Sequence, residues 1–420
     1  MVRIYPFAAV RPERSAASAI AAVPYDVVTA DEARGIITKN PRSFLRVSRA
    51  DAQISDVPSH DARVYDLARE NFLAMLNDGS MQRDDSPSMY IYRVRQDNET
   101  FVGLCCCVDV DDYRTNHIRR HEQTRYEKEE DRTRHIEATR THNGPVVLLY
   151  RDMNGIFNFI ESLVPAGSVP DADVRTDTGV VHQIFRISDR LALERVAALF
   201  AQVPVLYIAD GHHRAKSAVN VADRNPDPPG SSEEINRFLG VLFAHDRVKI
   251  HGYSRLVTDL GACNSDAFTH LMKRYFDVKS YGKPDGRGFN IPPRLKNSGQ
   301  HHVVHMYLEG AWYECTRPVD PGASVLDSLD VTVLQTYVLE GLLGITDPRS
   351  DSRLQYLGGA RPIADLAHLV ENKTYAVAFA MQPVRIGTVL SIADAQGVMP
   401  PKSTWFEPKL LSGLVVHTFE

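Results

Sequence analysis

The sequence predicts a protein of the α+β class with mixed α/β architecture, and three observations support this. Segments with helical spacing of apolar residues alternate along the chain with segments of strand-like composition. The 420 residues are too many for one ordinary core, so two or three domains are expected. Apolar residues make up 43% and charged residues 24%, which is typical of a folded globular protein.

The elements of the first part of the chain are a helix, a hairpin and a charged helix. Residues 61–77 repeat apolar side chains at helical spacing, and Gly79 follows the end of this segment. Residues 89–95 and 100–110 alternate in polarity on either side of a short polar turn, which predicts a hairpin. Residues 122–140 are rich in charge and favour a helix.

The remaining elements continue the alternation of strands and helices. Strands are predicted at 144–152, 204–210, 237–246, 248–257 and 373–382, and helices at 214–223 and 329–344. Clusters of Pro, Gly and polar residues predict loops at 223–234, 282–300 and 317–324. These breaks suggest an N-terminal α/β region at 1–112, a central region at 113–246 and a C-terminal α/β region at 247–420.

Composition excludes several classes of function. The net charge is −5 and no long run of Lys and Arg occurs, so nucleic-acid binding is not expected. No stretch is long and apolar enough to span a membrane, and the Ala-rich segment 15–23 is too short and weakly apolar for a signal peptide. The five cysteines lack zinc spacing and make a poor disulfide framework. We therefore expect a cytoplasmic protein.

The stretch IADGHHRAKSA at 208–218 concentrates charge at the end of an apolar strand. Asp210 and Gly211 are predicted to form a turn, after which a helix begins. A glycine at such a turn lets the backbone approach a ligand closely. The stretch therefore predicts a strand–turn–helix unit.

Three side chains of this unit, those of His212, His213 and Arg214, are placed at the helix N-terminus. The backbone N–H groups and the helix dipole favour an anion there. An arginine fork suits phosphate oxygens, and two imidazoles would add to the site. The pattern favours a phosphate site, and the alternative is a polar surface turn with solvated histidines.

A second cluster lies in IRRHEQTRYEKEEDRTRH at 118–135. Its candidate site residues are His121, Glu122, Lys128, Asp131, Arg132 and His135. Asp131 and His135 share a helix face, but no His-Glu-x-x-His arrangement favours zinc. Glu122, in the predicted first turn beside His121, is a candidate general base. The alternative is a solvated helix with ion pairs such as Arg125 with Glu129.

The C-terminal stretch MPPKSTWFEPKLLSGLVVH at 399–417 is a third candidate. Its lysines and hydroxyls suit a phosphate or carboxylate, although a Pro-rich loop could instead hold Trp405 in a domain interface. The candidate residues here are Lys402, Ser403 and Lys409, and the segment 347–359 adds Arg353.

These stretches resemble, over essentially the full length, a bacterial and archaeal family of conserved proteins of formerly unknown function. The blocks that carry the resemblance are VPYDVV at 23–28, SFLRV at 43–47, and the stretches at 118–135, 207–218, 347–359 and 399–414. The resemblance implies that the C-terminal block closes over the turn at Gly211.

Two of the blocks also resemble the ParB/sulfiredoxin-like nucleotide-binding fold, which free serine kinases share. The resemblance implies that Glu122 is the catalytic base and that Asp210 is a second carboxylate and a Mg²⁺ contact. It implies a phosphate clamp of His213 and Arg214 on the Gly211 turn. The turn lacks the cysteine of sulfiredoxins, which excludes their sulfinic-acid chemistry at this position.

The leading functional hypothesis is a kinase that transfers a phosphoryl group from ATP or ADP to free L-serine, with Mg²⁺ as cofactor. The second is a phosphohydrolase such as a phosphoserine phosphatase, which would use the same clamp with water as the nucleophile. The third is a ParB-like regulator that binds a nucleotide without turnover. The sequence leaves open the phosphoryl donor (ATP, ADP or pyrophosphate), the direction of the reaction and the oligomeric state.

Overall fold

The computed structural model describes residues 1–54, 57–58, 60–225, 233–282, 300–358 and 362–419. Much of the loops predicted at 223–234 and 282–300 lies outside the described residues, as does the last residue of 347–359. The chain divides into two compact units. The first comprises Met1–Arg120, Thr124–Val248 and Pro408–Glu420, and the second comprises His121–Gln123 and Lys249–Glu407.

The first unit contains a large sheet and several helices, whose bounds follow here in sequence order. Its helices are α1 (Ala17–Ile20), α2 (Ala30–Lys39), α3 (Leu45–Ser48), α4 (Ala62–Asn77), α5 (Val110–Arg114), α6 (Tyr126–Thr139), α7 (Ile156–Ser162), α8 (Arg190–Phe200) and α9 (His212–Arg224). Its strands up to residue 248 are β1 (Ile4–Tyr5), β2 (Val10–Pro12), β3 (Met81–Arg83), β4 (Met89–Gln96), β5 (Glu99–Asp109), β6 (Ile118–Arg119), β7 (Thr141–His142), β8 (Val146–Tyr150), β9 (Ala172–Arg175), β10 (Val181–Ile187), β11 (Leu206–Asp210) and β12 (Arg237–Ala244).

The central sheet of this unit has the order β6-β11-β8-β12-β5-β4-β10-β9, and β1 also pairs with β5. Strands from 1–112 and from 113–246 therefore pair within one sheet. Its middle strands are buried on both faces, which explains their continuous apolar runs. Cys105, Cys106 and Cys107 of β5 are all fully buried free thiols.

The second unit is built around another sheet. Its helices are α10 (Ser265–Met272), α11 (Asp330–Val333), α12 (Ala364–Glu371) and α13 (Ile386–Asp394). Its strands are β13 (Lys249–His251), β14 (Ser254–Val257), β15 (Asp277–Ser280), β16 (His301–Leu308), β17 (Ala311–Pro318), β18 (Leu354–Leu357), β19 (Val377–Met381) and β20 (Trp405–Glu407). The sheet order is β15-β17-β16-β19-β14-β18, and β13 pairs with β20. The mixed α/β class is confirmed.

The C-terminal segment 408–420 returns to the first unit. Its strand β21 (His417–Thr418) pairs with β7, and Val416 forms an isolated bridge with Val10. In the described part of the chain, no helix combines the length and apolar composition required to cross a membrane.

The prediction that the charged helix begins at Glu122 is wrong. Helix α6 begins at Tyr126, and the residue before it, Arg125, has an extended backbone. The backbone N–H of Arg125 donates to Nε2 of His213 at 3.0 Å, so a side chain from α9 satisfies a donor at this helix start. Glu122 therefore lies outside the helix.

The alternative of a solvated α6 with i,i+4 ion pairs holds for one face of the helix only. Residues Thr133, His135, Ile136 and Thr139 are buried on one face of the helix. One i,i+4 ion pair of this helix joins Arg134 and Glu130, at 2.9 Å. The helix is amphipathic in its packing although its sequence is dominated by charge.

The helix predicted at 329–344 is only partly α-helical. Residues Asp330–Val333 form α11, and Leu334–Glu340 continue it with π-helical hydrogen bonds. The predicted strand at 248–257 is divided into β13 and β14 at Gly252, where an added Cβ would lie 2.3 Å from the carbonyl oxygen of Met381.

Candidate functional site in the first unit

The turn between β11 and α9 has the strand–glycine–helix form that the sequence predicts. Gly211 occupies the N-cap of α9 with φ of +93°, a conformation that residues with a Cβ rarely adopt. The helix begins without a side-chain cap. The turn thus leaves the positive end of the α9 dipole beside the side chains of Asp210 and Arg214.

Three charged side chains meet at this turn. Nζ of Lys409 lies 2.7 Å from Oδ1 of Asp210, and the Arg214 guanidinium donates to Oδ2 of the same carboxylate. The side chains of Asp210 and Lys409 are each 25% exposed, and that of Arg214 is 11% exposed. The network therefore contains two cations and one carboxylate, and all three side chains are partly buried.

Arg214 is held by contacts on several sides. A second guanidinium N–H donates to the carbonyl oxygen of Pro145. A Cβ added to Gly211 would lie 3.0 Å from Cζ and Nε of Arg214, and one added to Gly144 would lie 3.3 Å from its Cδ. Within the described residues, the buried Nε of Arg214 has no hydrogen-bond partner. The two glycines thus make room for the arginine, where the sequence had suggested room for a ligand.

The carboxylate of Asp210 is ionised in this network. Burial by itself raises the pKa of Asp210. The nearby charges of Lys409 and Arg214 lower this pKa by a larger amount, so it lies well below the ordinary range. Both oxygens accept hydrogen bonds from cations. A Mg²⁺ ion would be repelled by these two charges, so Asp210 as arranged does not fit a magnesium ligand.

The two histidines of the turn differ in their surroundings. His212 is buried, and burial lowers its pKa to about 3, so it is neutral at neutral pH. The alternative of a polar surface turn with two solvated histidines is therefore wrong for His212. His213 accepts the backbone N–H of Arg125 through Nε2, which ties the start of α6 to α9.

A small cavity of about 30 Å³ lies beside Arg214. Its lining includes Tyr25, Arg132, His135 and His142. A larger pocket of about 350 Å³ shares Tyr25, Arg132 and His135 with it, so the two adjoin. The larger pocket is lined by residues of the predicted family blocks and of their neighbours: Tyr25, Asp26, Val28, Ser48, Arg49, Ala50, Asp51, His60, Val64, Glu127, Lys128, Asp131, Arg132 and His135.

Arg132 and Asp131 form the inner wall of this larger pocket. The guanidinium of Arg132 pairs with Asp131 at 2.7 Å and lies 4.3 Å from the centre of the Tyr25 ring. Asp131 also accepts from the hydroxyl of Tyr65 at 3.0 Å. Burial raises the pKa of Asp131, but the charge of Arg132 and the hydrogen bonds to the carboxylate lower this pKa by more. The carboxyl therefore stays ionised. These contacts fix both charges in place.

His135 closes the inner end of the pocket. Its Nε2 lies 2.8 Å from the carbonyl oxygen of Val47, to which it donates. Burial and the charge of Arg132 lower the pKa of His135 to about 4, so the imidazole is neutral at neutral pH. It does not act as a cation there.

The remaining charged residues of this pocket were not selected from the sequence. Arg49 pairs with Asp51 at 2.8 Å, and Asp26 and His60 lie at the more exposed edge. Asp26 belongs to the VPYDVV block and Arg49 follows the SFLRV block closely. The resemblance of these two blocks to the family was therefore the sequence feature that could have identified both residues. Their distance from residues 126–135 in the sequence concealed that they share a pocket.

The other predicted site residues belong to the second unit. His121 is buried there, with its Nε2 3.2 Å from Oγ1 of Thr404, and Glu122 lines a pocket of about 480 Å³ with Arg349 and others. The hydroxyl of Ser403 donates to the carbonyl oxygen of Pro400 at 2.6 Å.

The two cations among the predicted site residues of the second unit, Arg353 and Lys402, each have a local partner. Arg353 pairs with Asp351 at 2.7 Å, and Nζ of Lys402 lies 5.4 Å from the centre of the Tyr253 ring. Trp405 of the C-terminal block lies in β20 and packs edge-on against the same ring of Tyr253, with centroids 5.4 Å apart.

Fold and site together define a mixed α/β protein with an ion-pair network at a strand–glycine–helix turn and an adjoining pocket of mixed charge. The chain belongs to the family DUF1015, described as a protein of unknown function, whose model matches residues 4–332. No curated protein matches the chain.

Several solved structures are similar to the chain at low identity, and three of them are described here. A free serine kinase in complex with AMP is 13% identical, with 72% of this chain and 86% of that chain covered and a TM-score of 0.35. C-terminally truncated SbnI from Staphylococcus aureus is 12% identical, with 74% and 86% covered and a TM-score of 0.38. A conserved hypothetical protein from Pyrococcus furiosus is 13% identical, with 71% and 89% covered and a TM-score of 0.33. TM-scores this low establish no site or activity for the present chain.

Proposed function

We propose that this protein is a phosphotransferase that moves a phosphoryl group from ATP or ADP to the hydroxyl of free L-serine, giving O-phospho-L-serine. The observation that carries the proposal is the network of Lys409, Asp210 and Arg214 at the start of α9. The resemblance of the Asp-Gly-His-His-Arg turn to that of free serine kinases supplies the reaction class. The ParB/sulfiredoxin-like core is part of the same proposal.

The network is suited to the phosphates of a nucleotide. Lys409 and Arg214 carry two positive charges, and Asp210 neutralises one of them. The remaining charge adds to the positive end of the α9 dipole, which favours an anion. In the proposed role, Asp210 holds the two cations in position, and the Nε–H of Arg214 is the donor that a phosphate oxygen would satisfy.

The adjoining pocket is suited to a small zwitterion. An amino acid carries an ammonium and a carboxylate, and the exposed rim of the pocket offers Asp26 and Lys128 as charges of opposite sign. Both side chains are exposed at the rim, so a solute in the pocket can reach them. We assign the pocket to L-serine, with Lys128 and Asp26 as the residues that select its carboxylate and its ammonium.

We keep Glu122 as the proposed base on the resemblance alone, because the structure places it in the pocket of the second unit and not among the residues that line the serine pocket. Its carboxylate would take the proton of the serine hydroxyl while the hydroxyl oxygen forms a bond to the terminal phosphorus. The bond from that phosphorus to the bridging oxygen breaks, and ADP or AMP leaves. The resemblance implies that Mg²⁺ assists by neutralising phosphate charge, and Asp210 is not its ligand in the arrangement described above. His121 remains a proposed catalytic residue, and Arg353, Lys402 and Ser403 remain proposed contacts of the substrate or of its surroundings.

The test is to incubate the full chain with L-serine, Mg²⁺ and, separately, ATP, ADP or pyrophosphate, and to follow phosphorus NMR for O-phospho-L-serine. We expect one donor to give product, and D26N and K128M to raise the KM for serine at least about tenfold. Lys39→Met, an exposed lysine of α2, is the matched control and should leave the KM unchanged.

Two other outcomes would replace the proposal. Release of inorganic phosphate from O-phospho-L-serine without any nucleotide would indicate the phosphohydrolase. Nucleotide binding by calorimetry with no product from any donor, over a range of amino acids, would indicate the regulator.

A further inference from the structure

Three potential metal ligands from distant parts of the sequence converge in the first unit. The Sγ of Cys107, a carboxylate oxygen of Glu234 and a ring nitrogen of His417 all lie within 4.8 Å of one another. Cys107 is in β5, Glu234 is in the short helical turn before β12, and His417 is in β21. Cys107 and His417 are buried to 0% and 1% exposure. The spacing of the cysteines in the sequence does not indicate this cluster, because its three members come from distant parts of the chain.

The histidine already contacts one of the other two potential ligands. Nε2 of His417 lies 2.7 Å from Oε2 of Glu234, so this nitrogen faces the carboxylate of the cluster. When the proton of the neutral imidazole is on Nδ1, Nε2 presents a lone pair that an ion between the side chains can accept.

We propose that Cys107, Glu234 and His417 bind one zinc ion. A thiolate, an imidazole and a carboxylate are all ligands that Zn²⁺ takes, and softer thiolate–imidazole sets disfavour Mg²⁺ and Ca²⁺. Binding releases the thiol proton to solvent, so that the charges of Cys107 and Glu234 neutralise the ion. No net charge is then buried.

The surroundings of Glu234 fit this role. Its other oxygen, Oε1, accepts from the guanidinium of Arg237 at 2.7 Å. Such an outer contact orients a ligating carboxylate. The ion would join β5, the turn before β12 and the C-terminal strand β21. It would therefore anchor the segment 408–420, which also carries Lys409, to the central sheet.

The experiment uses the full chain with any affinity tag removed and with metals stripped by a chelator. Native mass spectrometry should then show one zinc bound per chain after titration. Cobalt in place of zinc should give the near-ultraviolet charge-transfer absorption of a cobalt–thiolate bond. Cys107→Ser should abolish this absorption and weaken zinc binding at least about tenfold. Glu234→Gln should weaken zinc binding in the same direction.

Cys105→Ser is the matched control, because Cys105 is a fully buried thiol two positions away on the same strand face. It should keep the cobalt–thiolate absorption. A stripped wild-type chain that takes up no zinc would overturn the proposal, even if Cys107→Ser failed to fold. So would unchanged metal binding in a folded Cys107→Ser variant, or equal loss in both cysteine variants. The site does not depend on the proposed kinase activity.

Discussion

The ammonium of Lys409 lies 2.7 Å from Oδ1 of Asp210, although 199 positions separate the two residues in the sequence. This contact brings the C-terminal segment to the turn at Gly211, as the family resemblance implied for Lys409. The contact also determines the charge balance at the turn, because the carboxylate of Asp210 pairs with both Lys409 and Arg214. Five predictions follow from this turn and from the proposed base.

The coupling between Lys409 and Asp210 can be measured directly. Asp210→Asn, Lys409→Met and the double variant form a double-mutant cycle, with the free energy of unfolding measured in urea. We expect a coupling energy of about 1–3 kcal/mol, because the pair is in hydrogen-bond contact and partly buried. Lys39→Met should change stability by less than about 0.5 kcal/mol. A coupling energy near zero would mean that the pair contributes only packing.

The low pKa of Asp210 predicts a pH dependence of stability. A carboxyl whose folded pKa is below its unfolded pKa stabilises the folded state above the unfolded value, about 4, and this stabilisation is lost as the pH falls further. The difference in unfolding free energy between wild type and Asp210→Asn should be constant above about pH 5 and shrink below about pH 4. Urea titrations across this range give the answer, and a difference independent of pH would contradict the assignment.

Arg214→Lys should weaken both folding and nucleotide binding. Lysine cannot keep the contacts to Asp210 and Pro145 together, so we expect a loss of about 1–3 kcal/mol in stability. Calorimetry under folded conditions should show at least about tenfold weaker nucleotide binding. Arg224→Lys, in the last turn of the same helix, is the control and should bind normally. Unchanged affinity in folded Arg214→Lys would remove the clamp from the proposal.

Gly211→Ala should lower the free energy of unfolding by more than the same substitution at Gly79, another glycine with a positive φ. Gly79 has φ of +75° with nothing within 4 Å of an added Cβ, so Gly79→Ala should cost only the backbone term of about 1–2 kcal/mol. At Gly211 the Cβ would also press on the Arg214 guanidinium at 3.0 Å. We expect at least about 1 kcal/mol of additional destabilisation in denaturant unfolding. Equal costs would show that Arg214 moves aside freely.

Glu122→Gln tests the proposed base. The amide keeps shape and hydrogen-bonding capacity but cannot take the serine proton, so turnover should fall by about 10²–10⁴-fold. Nucleotide binding by calorimetry should stay within about twofold, since the phosphates are assigned to the turn at Gly211. Glu70→Gln, an exposed glutamate of α4, is the control for loss of one charge. Wild-type turnover in Glu122→Gln would require a different base.

Local pattern was sufficient to predict the main elements around the site. The apolar run 204–210 and the Asp-Gly pair after it predicted β11 and its turn, and the alternation at 89–110 predicted the hairpin of β4 and β5. These features depend on side-chain periodicity and on the backbone freedom of glycine, both of which are properties of neighbouring residues. The roles assigned to the site residues stay predictions until the variants are assayed.

What the sequence by itself determined was therefore the class of the fold, the family blocks and the turn at Gly211. Only the tertiary structure decided that His212 is buried and neutral, that α6 begins at Tyr126 with the backbone N–H of Arg125 donating to His213, and that Cys107 lies near His417. Burial, charge pairing and ligand geometry depend on contacts between residues far apart in the chain. Their free energies arise from solvent exclusion and short distances, which no local pattern encodes.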